Sequence, residues 1–269
     1  MHENPLSKGK VILLFQPAEE TGQGAKAMLE DPKLDEIKPD YVFALHNLPG
    51  LPLHQILWAK GQFTPTVQSL AVTLQGKSAH ASEPENGINP ALAIAEILQA
   101  FQELEVTSTE DEAFTLITPV HVNMGQKDYG ISAGYGELHF TMRCRTTKRM
   151  DFVVKECYAL LQKACAEHQL SYDTGWFDYF PSVQNDDDCN NYLMEAAKEE
   201  HLELLESSTG CKFGEDFGYF TQQFPGAMFG LGAGLESPAL HHDNYDFPDE
   251  LIGTGVRLFR RILTKFLND

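Results

Sequence analysis

Apolar and polar positions follow two regimes along this chain. Residues 10–15 (KVILLF) carry an apolar run unbroken from Val11 to Phe15, and residues 40–47 (DYVFALHN) make a second, similar stretch. Runs of this length and character predict strands buried on both faces. Between them, residues 24–32 (GAKAMLEDP) read as a short helix stopped at Pro32. Strand, helix, strand predicts a parallel βαβ unit. A Gly- and Pro-rich loop follows at 48–55, and residues 60–66 (KGQFTPT) read as a linker.

The second regime occupies residues 67–177. Residues 67–75 (VQSLAVTLQ) alternate as a half-buried strand. Residues 89–104 have helical periodicity, with Asn89 placed to cap and Pro90 to open the first turn. Strands are predicted at 113–125 and 135–146, an amphipathic helix at 150–169 and a closing strand at 170–177. The order βαββαβ is that of a ferredoxin-like sandwich, read here as an insertion in the first domain. The α/β pattern then returns, with a helix at 189–204, a small-residue strand at 226–234 and a final helix at 250–267. The acidic run Asp186–Asp188 suits a helix entry, where negative charge meets the N-terminal dipole.

Composition narrows the function classes. A 269-residue chain with 42% hydrophobic residues is long and apolar enough for a substantial core. A formal charge of -19 opposes binding to phosphate backbones or anionic lipid, so neither nucleic acid nor membrane is an expected partner. No apolar run approaches the roughly 18 residues of a spanning helix, and the opening MHENPLSKGK lacks the apolar core of a signal peptide. Cys144, Cys157, Cys165, Cys189 and Cys211 show no paired spacing. They read as reduced thiols of a cytoplasmic protein.

The chemistry concentrates at the ends of the predicted strands. Glu19 and Glu20 follow the first run directly, and adjacent carboxylates brought out of water need a compensating cation. One could hold a divalent metal while the other acts as general base on water; a solvated acidic turn is the alternative. His46 ends the second strand and suits zinc or manganese, or an ordinary hydrogen bond. His241, His242 and Asp243 form a cluster before the last helix. Residues 214–220 (GEDFGYF) add two acids at a helix start, where capping is the simple reading. His80 sits in a turn of small residues.

Taken in order, FQPAEETGQGAKAML, ALHN, GKSAHASEPENGINP, GEDFGYF and LHHDNYDFPDE resemble the M20 metallopeptidase family. The amidohydrolase branch, with its hippurate, N-acyl-amino-acid and auxin-conjugate hydrolases, is the most similar. The resemblance implies an α/β fold: a partial two-metal aminopeptidase-like catalytic domain interrupted by a ferredoxin-like lid and dimerisation domain. The expected domains are 1–62 and 178–269 for the catalytic part and 63–177 for the lid. It implies Glu19 as general acid/base, with Glu20, His46 and His241 as metal ligands and His80 as the oxyanion-stabilising residue. His242 matches a position that is not a ligand. The implied cofactor is a divalent metal, zinc, manganese, cobalt or nickel, two ions per site in the family. The implied partners are a small N-acyl amino acid or peptide substrate and a second copy of the chain bound through the lid.

Two departures accompany the resemblance. The branch carries a Cys-Gly-His-Asp-type motif and an Asp-containing strand upstream of PAEE. Neither is present, and His2 lacks that context. An Asn-Val-Ile-Pro-like turn of the lid is replaced by YGISAGYGE at 129–137. The chain is therefore expected to be a fragment of a longer enzyme, to be completed by another chain, or to be a non-catalytic dimerising or binding remnant, and its hydrolysis is expected to be reduced or absent because the upstream ligands are missing.

Overall fold

The computed structural model describes residues 9–268; most of the opening decapeptide, with His2, lies outside the described residues. The chain divides into two compact units, Met1–Thr64 with Val183–Asp269, and Pro65–Ser182.

In the first unit, the helices α1 (Gly24–Glu30) and α2 (Lys33–Ile37) precede the strands β1 (Val42–Leu48), β2 (Ile56–Trp58) and β3 (Gln62–Thr64). The last lies where a linker was expected. Gln62, Phe63 and Thr64 are buried, because β3 pairs with a later strand and Phe63 anchors a core cluster. The predicted strand at 10–15 does not form. Leu13 and Phe15 are 76% and 85% exposed. An apolar run becomes a strand only when a neighbouring backbone takes its N–H and C=O groups. β1 ends its sheet, and no described residue pairs with its outer edge.

The second unit contains β4 (Thr66–Gln75), β5 (Ala79–His80), α3 (Ala91–Gln102), β6 (Thr115–Met124), β7 (Ile131–Ser132), β8 (Tyr135–Cys144), α4 (Thr147–Glu167) and β9 (Ser171–Phe180). β4, β6, β8 and β9 form one antiparallel sheet in the order β6-β8-β4-β9, and β5 pairs with β7. With α3 and α4 this is the βαββαβ arrangement. β8 alternates strictly between half-buried and buried residues. Its inner side chains Leu138, Phe140 and Met142 meet Ile94, Ile97 and Phe101 of α3 and Val153, Cys157 and Leu161 of α4 in one core. β9 continues to Phe180, past the expected edge at 177, because its ladder with β4 runs on to Val67.

The chain then returns to the first unit through β10 (Val183–Gln184), α5 (Asp187–Glu199), β11 (Leu204–Glu206), α6 (Gly218–Thr221), β12 (Gly226–Gly232) and α7 (Glu250–Asn268). Asp186 caps α5, accepting from the Asp188 and Cys189 amides at 3.0 Å each. The sheet order is β1-β12-β2-β11, with β1 parallel to β12. Every residue of β12 is buried. Gly230 lets Leu48 pack close against the strand, since a Cβ there would stand 2.1 Å from a Leu48 methyl and force that side chain to shift. α5 and α7 cover this sheet through Leu193, Ala196, Leu251, Leu258 and Ile262. Among the described residues, no helix is long and apolar enough to cross a membrane.

Candidate active site

The site begins in the turn between the apolar run and α1. Ala18 adopts a left-handed backbone, φ 57°, and Glu19–Thr21 form one turn of 3-10 helix closed by Gly22 N–H on the Glu19 carbonyl at 2.8 Å. A left-handed alanine costs about 1–3 kcal/mol and persists only where its surroundings fix it. Here the fixing group is Asp216. This fully buried side chain accepts from Gln16 Nε2 at 2.6 Å and from the Ala25 amide at 2.9 Å. It thereby ties the residue before the turn to the first turn of α1. Gly24 completes the fit, because a Cβ there would lie 1.8 Å from the Pro17 carbonyl oxygen.

Glu19 is half-buried in this turn and shares its surroundings with two buried acids. Glu19, Glu215 and Asp216 bring carboxylate oxygens within 4.8 Å of one another. Burial pushes the Glu19 carboxyl above its ordinary range, and the charges of Asp216 and Glu20 add to the effect. Burial, followed by the Glu19 charge, pushes Glu215 up to about 8. Asp216 is raised mainly by burial, against the pull of the Ala25, Gln16 and Gly24 hydrogen bonds. Three acids this close are tolerated when a proton or a cation sits among them.

Glu20 is exposed and is not one of the three acids brought together there. Its Oε2 lies 3.9 Å from His241 Nε2, with both side chains about three-quarters exposed, at 75% and 74%. Two ligands about 2.1 Å from one tetrahedral ion sit roughly 3.4 Å apart, so the pair is near the spacing of shared coordination. The two donors, a carboxylate and an imidazole, suit a divalent transition metal. His241 has a left-handed backbone, φ 62°. Its loop is pinned to the end of β1, where Asn47 Nδ2 donates to the Tyr245 hydroxyl.

His46 stands one residue before Asn47, near the carboxyl end of β1. Its Nδ1 lies 2.8 Å from the Asn47 carbonyl oxygen, and its ring packs on Phe213 at 4.9 Å between centroids. A carbonyl oxygen only accepts, so Nδ1 carries the proton and the Nε2 lone pair is available to a ligand. His80 belongs to the second unit. It is exposed on β5, opposite Ile131 of β7, and its Nδ1 bonds Ser82 Oγ at 2.7 Å.

The structure thus joins Glu20 to His241 and links the His241 loop to the strand bearing His46. It also supplies two residues that the capping reading of GEDFGYF passed over. Glu215 and Asp216 lie among buried apolar residues, and acids in such a stretch signal paired or protonated groups rather than a solvated helix entry.

The model of peptidase family M20/M25/M40 matches residues 1–265. An N-acetyl-L-cysteine deacetylase of Bacillus subtilis is 29% identical over 225 residues, 84% of this chain and 53% of the relative. An N-acetyldiaminopimelate deacetylase of Bacillus velezensis is 28% identical over 97% of this chain and 69% of its own length. The Bacillus subtilis YXEP protein, described as a dinuclear metal binding peptidase from the M20 family, superposes with a TM-score of 0.76 at 22% identity. That match covers 94% of this chain and 64% of YXEP. The chain spans about half the length of the first of these relatives. By its match over nearly its entire length, the chain belongs to peptidase family M20/M25/M40.

Proposed function

We propose that the chain serves metal-dependent hydrolysis of the amide bond in an N-acyl amino acid or small peptide-like substrate. The observation carrying this reading is the half-buried Glu19, backed by buried Glu215 and Asp216 and adjacent to the Glu20–His241 pair. Two relatives named as N-acetyl-amino-acid deacetylases support the substrate class. Glu20, His46 and His241 would hold a divalent metal, two ions by analogy with YXEP, and the metal would polarise the substrate carbonyl when bound. Glu19 takes a proton from the attacking water at its carboxylate and returns it to the leaving amine nitrogen. Burial holds the Glu19 carboxyl above the ordinary glutamate range, which makes it a stronger base toward that water than a free glutamate. His80 is read as the donor to the oxyanion. Dimerisation through the second unit is supported by β6, a sheet-edge strand exposing Val120, Val122 and Met124. A cytoplasmic location is supported by five free thiols.

The test is turnover of N-acetyl amino acids by the chain loaded with manganese, zinc, cobalt or nickel, with bound metal counted. The expected result is metal-dependent hydrolysis that falls by about 10²–10⁴-fold in Glu19→Gln. A second reading, a non-catalytic binding scaffold, is favoured by the open setting of Glu20 and His241. A chain that takes up no metal and hydrolyses nothing decides for that second reading.

A further inference from the structure

Glu215 is 6% exposed, and its direction is set by its own backbone turn. The Phe217 amide donates to Glu215 Oε1 at 3.2 Å. Phe217 is itself held in the core formed by Ala25, Phe63, Phe220 and Met228. The carboxyl is oriented by this bond, and one of its oxygens lies within 4.8 Å of a Glu19 carboxylate oxygen.

Two ionised carboxylates at such a distance in a dry setting repel strongly, and one shared proton removes the repulsion. Asp216 is not its carrier: both of its oxygens already accept from N–H donors, Gln16 Nε2 on one and the Ala25 amide on the other. Glu19 is the more exposed of the remaining two and keeps its charge at least cost. The proton falls to Glu215.

We infer that Glu215 is a positioning residue for Glu19: its buried carboxyl donates a hydrogen bond to the Glu19 carboxylate and holds it in one orientation. This deepens the hydrolase reading and rests on Glu19 as the proton carrier. Glu215 does not touch substrate, and its proton stays in place through the cycle.

The test compares Glu215→Gln, which keeps a donor of the same shape, with Glu215→Met, which removes it. In the metal-loaded chain acting on an N-acetyl amino acid, Gln is expected to keep kcat within about three-fold. Met is expected to lose about 30–100-fold in kcat with KM within about two-fold, as a misplaced catalytic group does. Native kcat in the Met variant, or a Gln variant as slow as Met, overturns the inference. A second readout needs neither turnover nor the Met variant. Infrared spectra of the full chain at pH 7 should contain a neutral-carboxyl carbonyl band. That band should vanish in Glu215→Gln and shift in Glu19→Gln as the acceptor changes. Its absence from the native chain, or its indifference to Glu19→Gln, overturns the inference. A native chain that shows the band but hydrolyses nothing removes the hydrolase reading and leaves the Glu19–Glu215 bond standing.

Discussion

Gln16 and Asp216 lie 200 positions apart in the chain, yet Gln16 Nε2 donates to Asp216 Oδ1 at 2.6 Å. Through its other oxygen the same carboxylate holds the Ala25 amide. The turn carrying Glu19 and Glu20 is thus clamped at both ends by one buried side chain from a distant segment. Asp216→Ala leaves these donors without a partner, each costing about 1–3 kcal/mol. The expected outcome is a loss of about 2–4 kcal/mol in urea unfolding, at unchanged m-value. Asp216→Asn keeps the shape but presents a donor to one of the two N–H groups, and should fall between alanine and the native chain.

Gly24 tests the same clamp from the helix side. A methyl group there would overlap the Pro17 carbonyl oxygen, at 1.8 Å, and backbone cannot rotate aside as a side chain can. Gly24→Ala must move the turn. A stability loss above about 2 kcal/mol is expected, despite alanine's better helix propensity. Turnover should fall by more than in a surface glycine variant such as Gly50→Ala, where a Cβ meets nothing within 4 Å. Gly50 has φ 85°, so its alanine variant costs stability through strain without disturbing the turn.

Much of this arrangement was legible in the sequence, for definite reasons. β8 and α4 announce themselves because one face of each is buried against a single core, so period 2 and period 3.6 survive intact. Residues 10–15 mislead because hydrophobicity records a preference for burial, while a strand also needs a partner ladder, which pattern alone does not supply. β3 is missed for the opposite reason: three residues between Gly61 and Pro65 are too few to show a period, and pairing with β10 decides them. At the site, PAEE stands out by its adjacent charges. Asp216 does not, because its role depends on Gln16 and Ala25, which are distant in sequence.

The five thiols give a prediction about reactivity. Burial pushes Cys144 up to about 11 and Cys157, Cys189 and Cys211 up to about 12, and it raises Cys165 as well. Only the thiolate reacts with a thiol reagent, so at pH 8 the folded chain should be nearly inert. All five should react in urea. Labelling of any of them in the folded chain at the rate of a free cysteine would contradict this picture.

Stability should also depend on pH through the acidic trio. Glu215 titrates near 8 in the fold, against an ordinary glutamate value of 4.5. Glu19 and Asp216 are raised too. Between these limits the folded chain binds more protons than the unfolded chain. Stability then falls with rising pH, by up to about 1.4 kcal/mol per unit for each proton of difference. The contribution is fully present below the unfolded value near 4.5 and is lost as pH rises through about 8. The formal charge of -19 pulls in the same direction, so the native slope alone does not isolate the trio. Glu215→Gln does, because glutamine cannot titrate. Urea midpoints of the metal-free native chain should decline from pH 5 to pH 8, and the Gln variant should decline less steeply. A native midpoint that rises over that interval, or a Gln variant with the native slope, would show that the buried carboxyl carries no proton.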